Sequence, residues 1–423
     1  MNLAVLDLFA GCGGLSLGLQ QAGFRIVAAV EKDVWASETY AHNHPDTELL
    51  SVGVETLTTE FLRRRFRGHV DVIVGGPPCQ GFSVSGKRQY GVFLDKNRLI
   101  HEYIRAVDAV APSMFLLENV RGFTSASLDG RERALGVLLG GLEGLGYHLY
   151  SAVLQAVDFG LPQYRSRLFV IGSREELSDS PFPAVTHAAR SRGGLAPYLS
   201  IMDAISDLPI IHAGEGTDGS QPYTKKPNNE FQALMRRGST LVFNHQAMKH
   251  TQRLVDRFAD IKPGGSAYKL GSEGDTAPVT VYKSNNQRLV PSLPSLCITA
   301  NFQSNYVHPV LHRNLTAREA ARLQTFPDSF VFKGRRTLMS STLLAAEGRH
   351  EENHLSQYNQ IGNAVPPLLA RVLGERLLEV RSERRPTGTA RLHPARPARQ
   401  MTLPLHSADL DVSATGAAAQ RTT

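Results

Sequence analysis

Through the first 175 residues, short and nearly continuous apolar runs alternate with longer stretches whose apolar positions return every three or four residues. The runs predict strands near Ala4–Phe9, Arg25–Glu31, Asp71–Gly75, Met114–Asn119, Tyr147–Gln155 and Arg167–Ile171. The stretches between them predict helices at Leu15–Ala22, Val34–His42, Arg98–Val110 and Arg131–Leu145. Strands that are apolar throughout must be covered on both faces, and intervening helices supply the covers. The pattern therefore predicts an α/β fold with a doubly wound, mostly parallel sheet. Ligands of such sheets bind at the carboxyl ends of the strands.

From about Ser173 the texture changes to Pro, Gly, Asn and Ser with shorter apolar runs. Residues 174–312 read as a second, smaller domain of irregular or mixed structure. Within it, Gln246–Ile261 predicts an amphipathic helix with Leu254, Val255, Phe258 and Ile261 on its apolar side. Lys249, Arg253 and Arg257 recur every four residues and would form a basic stripe on it. Thr316 and Glu319 have capping-box spacing ahead of a helix Ala317–Gln324 that stops before Pro327. A last helix is expected over Pro366–Val380. Beyond it, residues 381–423 lack an apolar pattern able to fold alone.

Composition narrows the picture. A chain of 423 residues, 42% hydrophobic and 20% charged, can build a sizeable core and is neither wholly disordered nor fibrous. No apolar run is long enough to predict a membrane span. The start, MNLAVLDLFAGCGG, has no basic region before it turns acidic at Asp7, so no signal peptide is expected. Cys12, Cys79 and Cys297 form no CxxC pair, which argues against a disulfide scaffold or a zinc ribbon. Free thiols, a cytoplasmic setting and no metal site are the expectation. The net charge of +7 suggests a polyanionic partner, yet residues 381–423 alone hold seven Arg against three acids. Charge is thus weak evidence for nucleic acid, and the motifs must carry the case.

Five constellations bear chemistry. Asp7-Leu-Phe-Ala-Gly-Cys-Gly-Gly14 runs a strand into a glycine turn and then a helix, and Glu31 ends the next strand. Such a turn lets backbone approach a ligand closely, and such an acid accepts hydrogen bonds from a ribose. Together they predict a nucleoside cofactor, a dinucleotide or S-adenosylmethionine. In Asp71-Val-Ile-Val-Gly-Gly-Pro-Pro-Cys79, two prolines stiffen the chain behind a strand and present Cys79 at the mouth of the sheet. Gln80–Arg98 reads as a mobile loop able to close on a substrate. Glu118 ends the apolar run Phe115-Leu-Leu-Glu-Asn-Val120, where a carboxylate is costly unless paired or used, and a desolvated Glu can donate a proton. Arg165 and Arg167, two apart in Gln163-Tyr-Arg-Ser-Arg-Leu168, would point to one face of a strand and suit a phosphate or a carbonyl oxygen. Finally, Gln360-Ile-Gly-Asn-Ala-Val-Pro-Pro367 is a tight turn opening the last helix, with Asn363 available to a polar ligand.

At these residues the sequence resembles the DNA (cytosine-5)-methyltransferases. The Pro-Pro-Cys-Gln, Glu-Asn-Val, Gln-x-Arg-x-Arg, Arg-Glu-Ala-Ala-Arg-Leu-Gln and Gly-Asn-Ala-Val-Pro segments occur in that family's order. The resemblance implies an S-adenosylmethionine pocket lined by Phe9, Gly11, Gly13, Leu99 and Asn363, with Glu31 on the ribose. It implies Cys79 as nucleophile, Glu118 on the N3 edge of a flipped-out cytosine, and Arg165 and Arg167 on its O2 and a neighbouring phosphate. It divides the chain into a catalytic and cofactor-binding domain (1–173), a target-recognition domain (174–312), a connecting segment with a family helix (313–354), a helix returning to the catalytic domain (355–380) and a basic tail (381–423). Gln80, Ser83, Lys249, Arg253 and Arg257 are the candidate DNA contacts. Where the family usually has Gly-Asp-Ile, this chain reads Gly53-Val54-Glu55, so that Glu55 either substitutes for the usual acid or the contact is absent.

The implied enzyme is a monomer that methylates double-stranded DNA, bacterial and nucleoid-associated, and serves as the modification partner of a restriction endonuclease acting on the same site. Two alternatives stand beside it. One is a tRNA cytosine-5 methyltransferase of the same catalytic design, and the other is a non-catalytic DNA-binding regulator.

Overall fold

Seven strands build one sheet: β1 (Ala4–Leu8), β2 (Arg25–Val30), β3 (Glu48–Leu50), β4 (Val72–Gly75), β5 (Met114–Val120), β6 (His148–Gln155) and β7 (Ser166–Ser173). Their order is β3-β2-β1-β4-β5-β7-β6. The first five are parallel, and β7 runs antiparallel between β5 and β6. The expected doubly wound, mostly parallel sheet is therefore present. This computed structural model describes residues 2–78, 93–125, 133–191, 193–267, 285–337, 344, 346–348 and 354–382, without the side chains of 93–97 and 125.

Successive residues of the central strands alternate between two cores, as a period of two requires. Leu6, Leu8, Ile73, Phe115 and Leu117 face one side, where α3 (Thr59–Phe66), α4 (Phe93–Val110) and α5 (Ala134–Glu143) bring Leu62, Phe66, Tyr103, Val107 and Leu138. Val5, Val72, Val74, Leu116 and Phe169 face the other, against Leu15 and Leu19 of α1 (Gly14–Ala22) and Leu369, Leu373 and Leu377 of the last helix (Pro367–Ser382). Helix α2 (Val34–Asn43) follows β2.

Strand order reverses beside β1, which has β2 on one flank and β4 on the other. The turns leaving β1 and β4 thus diverge to open a crevice at their carboxyl ends. Those turns carry the glycines and the Pro77-Pro78 pair.

Some elements differ from the pattern read off the sequence. Strand β3 has three residues and α3 buries only Leu62 and Phe66 beside Arg63, Arg64 and Arg65, too little apolar signal to register. Helix α4 starts at Phe93, so the last six residues of the expected Gln80–Arg98 loop are helical, and residues 80–92 lie outside the described residues. The amphipathic helix starts at Gln252, not Gln246. His245–Gln246 instead pairs with Gly216–Thr217, and Ala247 N–H donates to Glu215, so that backbone is committed to a ladder and cannot coil.

After β7 the chain forms two-residue strand pairs and short helices around a further core. That core joins Ile201, Phe231, Val242 and Phe302 to Leu323, Phe326, Phe330 and Tyr358. At its centre lies the helix Ala317–Leu323, with the expected Thr316–Glu319 capping box. Arg322 on this helix is wholly buried and donates from Nε and Nη2 to Asp328 (2.6 Å each) and from Nη1 to Asp207 (2.9 Å) and the Ala204 carbonyl (2.8 Å). Burial alone would push the Asp328 carboxyl up, but the hydrogen bonds and charge of Arg322 outweigh it and hold Asp328 below the usual range.

Replacing Arg322 by Met removes the main partner of two buried carboxylates and leaves Asp328 to Tyr223 and Arg318 and Asp207 to Arg236, which should cost about 3 kcal/mol. Denaturant unfolding of the full chain measures it, and a loss under about 1 kcal/mol would show that these carboxylates are not held by Arg322.

Candidate active site

The turn after β1 is set by backbone conformations that few residues adopt. Phe9 has φ 58°, Gly11 57° and Gly13 95°. A Cβ on Gly13 would stand 2.3 Å from His44 Nε2, so only glycine fits there. Glu31, one residue beyond β2, turns its carboxylate onto this turn: Oε2 accepts from Gly11 N–H (2.8 Å) and Oε1 from Asp33 N–H (2.8 Å). Burial raises the Glu31 pKa, partly offset by these hydrogen bonds. The helix Gln357–Asn363 closes the same region, because Cys12 Sγ donates to the Gln360 carbonyl (3.7 Å) and Thr39 Oγ1 to Gln360 Oε1 (2.6 Å). Asn363 is exposed at that helix's end. The structure thus brings Phe9, Gly11, Gly13, Glu31 and the Asn363 turn together.

Leu99 sits half-buried on α4, beside the buried Ile100. Val54 is buried in the core beneath the sheet, and the Glu55 carboxylate folds back over Gly53.

Sequence reading gave Asp7 no role. It is buried under the glycine turn, where Oδ2 accepts from Ser16 Oγ (2.6 Å) and Oδ1 has no partner. Burial pushes its carboxyl up to about 7, against the Ser16 hydrogen bond. The signal for such a role would have been an acid inside an otherwise apolar strand. Burial also pushes the Cys12 thiol up to about 12, which makes it a poor nucleophile.

The second cluster lies across β4, β5 and β7. In the antiparallel register Glu118 faces Phe169 and Val120 faces Arg167, so Glu118 and Arg167 are diagonal neighbours on one face. Arg167 Nε stands 3.0 Å from Glu118 Oε1. Burial raises the Glu118 pKa, and the charges of Arg167 and then Arg165 only partly restrain it. The turn after β4 abuts this carboxylate: a Cβ on Gly76 would stand 3.1 Å from Glu118 Oε2, and Asn119 Nδ2 donates to the Pro77 carbonyl (3.3 Å). Pro77-Pro78 is therefore anchored beside Glu118. Cys79 itself, with Gln80 and Ser83, lies outside the described residues.

Arg165 departs from expectation. It precedes β7, is 1% exposed, and spends Nη1 and Nη2 on main-chain carbonyls rather than facing a ligand with Arg167.

The basic stripe is also broken. Lys249 is exposed ahead of the helix, while Arg253 and Arg257 on it flank, with Thr251 and Leu254, a hollow of about 320 Å³.

Comparison with known proteins gives the family of the chain. Residues 3–379 match the family model of the C-5 cytosine-specific DNA methylases. This chain belongs to the C-5 cytosine-specific DNA methylases. It is 44% identical to the Type II methyltransferase M.DdeI of Desulfomicrobium norvegicum over 88% of each chain. It is 34% identical to the Type II methyltransferase M1.HphI of Haemophilus parahaemolyticus, over 90% of this chain and 88% of that one. Among solved structures, an E. coli prophage-encoded protein assigned to the DNA modification methyltransferases superposes with a TM-score of 0.68 at 27% identity, covering 90% of this chain and all of that one. The Dnmt2 methyltransferase of S. pombe, at 19% identity and a TM-score of 0.53 over 90% of this chain and 99% of that one, shares the fold.

As a cytosine-5 DNA methylase the chain is an enzyme, a methyltransferase acting on DNA. Among the described residues no helix is long and apolar enough to cross a membrane.

The raised pKa of Glu118 makes a stability prediction for this methylase. A carboxyl whose folded pKa lies above its unfolded value stabilises the fold fully below the unfolded value, and that contribution is lost as pH rises through the folded one. Glu118→Gln, which cannot ionise, should therefore gain melting temperature relative to wild type as pH rises above the ordinary glutamate value. A difference independent of pH would show that Glu118 is not held as a buried acid.

Proposed function

We propose that this methylase modifies carbon 5 of one cytosine in a specific double-stranded DNA sequence, and that it is the modification enzyme of a Type II restriction–modification system. The Type II names of its relatives support the setting, and a cognate endonuclease would read the same site. The observation that carries the chemistry is the Glu118–Arg167 pair at 3.0 Å, with the Pro77-Pro78 turn fastened beside it.

S-adenosylmethionine, when bound, supplies the methyl group. The residues present fit it: Gly11 leaves open space where a side chain would stand, and the Glu31 oxygens keep lone pairs for ribose hydroxyls beyond their two N–H partners. Phe9, Gly11, Gly13, Glu31, Leu99 and Asn363 would hold it.

On the substrate side, the Cys79 thiolate forms a bond to carbon 6, and the displaced ring electron pair makes carbon 5 nucleophilic. A thiol suits this step because a few per cent is ionised at pH 7. Glu118, kept protonated to higher pH by burial, donates to N3, and Arg167 offsets charge gathering on O2. After carbon 5 has gained the methyl group, water takes the carbon 5 proton, the sulfur–carbon bond breaks, N3 returns its proton to Glu118, and Cys79 leaves as thiolate. Both faces of the ring must be reached, so the cytosine leaves the duplex at a cost of a few kcal/mol. Residues 174–312 form the target-recognition domain, with Gln80, Ser83, Lys249, Arg253 and Arg257 touching DNA. The enzyme works as a monomer, and residues 381–423 add sequence-independent attraction to phosphate.

A methyl-transfer assay on duplex DNA and on tRNA, followed by bisulfite sequencing, tests this reading. Wild type should mark one cytosine in one short DNA sequence. Cys79→Ser should retain less than a few per cent of that activity, while Cys12→Ala and Cys297→Ala stay active. Transfer to tRNA alone, or to nothing, contradicts the proposal.

A further inference from the structure

Gln163 and Arg165, on the approach to β7, bind three segments that are remote in sequence. Gln163 Nε2 donates to the Leu323 carbonyl (2.7 Å) and to Gln324 Oε1 (2.6 Å), and its Oε1 accepts from Ile298 N–H (3.2 Å). Gln324 Nε2 donates in turn to the Ile361 carbonyl (2.6 Å). Arg165 Nη1 donates to the Ile298 carbonyl (2.8 Å), with Cys297 Sγ at 3.6 Å. Its Nη2 donates to the carbonyls of Gly362 (3.1 Å) and Ala364 (2.8 Å), and its Nε is buried without a partner.

Two consequences follow. The guanidinium has no Nη left for a cytosine or a phosphate, and its Nε faces protein. The turn Ile361–Ala364, which carries Asn363, is clamped on both sides. Arg165 and Gln324 hold its carbonyls, and Gly362 is packed so closely on Thr299 that a Cβ would stand 2.3 Å from the Thr299 carbonyl.

We infer that Arg165 is a positioning residue that touches no substrate: it ties the Asn363 turn of the cofactor face to the strand bearing Arg167. This rests on the proposed use of S-adenosylmethionine. Arginine is required because its planar fork reaches Ile298 on one side and Gly362 and Ala364 on the other, whereas a lysine ammonium is a single point on a flexible stem. Breaking the tie leaves buried carbonyls unpaired and frees the turn.

The discriminating measurement is cofactor affinity in the absence of DNA, since a residue that meets only cytosine cannot alter it. The full chain is titrated calorimetrically with S-adenosylhomocysteine, with melting temperature recorded for each variant. Arg165→Lys and Gln324→Met should bind about tenfold more weakly than wild type, and Arg165→Lys should raise KM for S-adenosylmethionine. Arg167→Ala should lose turnover yet bind within about twofold of wild type. Arg165→Ala is informative only if its melting shows a fold, so Arg165→Lys and Gln324→Met decide. If both bind like wild type, or if Arg165→Lys loses turnover with cofactor affinity intact, the inference is overturned. A wild-type chain that binds no S-adenosylhomocysteine overturns the proposed function and this inference with it.

Discussion

A carboxylate at the end of an apolar strand is the constraint on which the catalytic half turns. Glu118 has lost most of its water, and an unpaired charge there would cost several kcal/mol. The antiparallel insertion of β7 beside β5 relieves that cost, because its register brings Arg167 to the diagonal position on the same face. The relief is partial: Glu118 remains a weaker acid than a free glutamic acid. A paired but still raised carboxyl is ordered by its partner and able to carry a proton, which is what the proposed contact to cytosine N3 demands.

The same sheet accounts for where the proposed cofactor face lies. Because strand order reverses at β1, the glycine turn and the Pro77-Pro78 turn leave neighbouring strands in different directions, with Glu31 on one flank and Glu118 on the other. The last third of the chain returns to both. Its helix Gln357–Asn363 reaches the glycine turn through Cys12 and Thr39, and its Gly362–Ala364 turn reaches the approach to β7 through Arg165. The Ala317–Leu323 helix, fixed by Arg322 between Asp207 and Asp328, packs on the Gln357–Asn363 helix, and Gln163 donates to its Leu323 carbonyl.

Much of this was legible in the residues. Continuous apolar runs marked six of the seven strands, since strands buried on both faces need no polar positions. The acids Glu31 and Glu118 stood out because they end such runs. The three-residue β3 was hidden by its length, and α3 by its consecutive arginines. Beyond β7, paired strands of two residues are too short to show a period, so neither the pairing of His245–Gln246 nor the later start of the basic helix could be read. Spacing put Arg165 and Arg167 on one face but could not reveal that main-chain carbonyls more than 130 residues away would claim the first of them.

The account's central claim is that Cys79, prepared by Glu118 at the opposite edge of the base, adds to carbon 6 before the methyl group arrives. Fluorine at carbon 5 cannot leave as a cation, so it blocks the elimination that releases the enzyme. Duplex DNA with 5-fluorocytosine at the target should therefore give a denaturation-stable protein–DNA complex that requires S-adenosylmethionine, carries its cross-link at Cys79, and forms more slowly in Glu118→Gln. Wild-type enzyme that turns over the fluorinated site without trapping, or a cross-link that persists in Cys79→Ser, would contradict it.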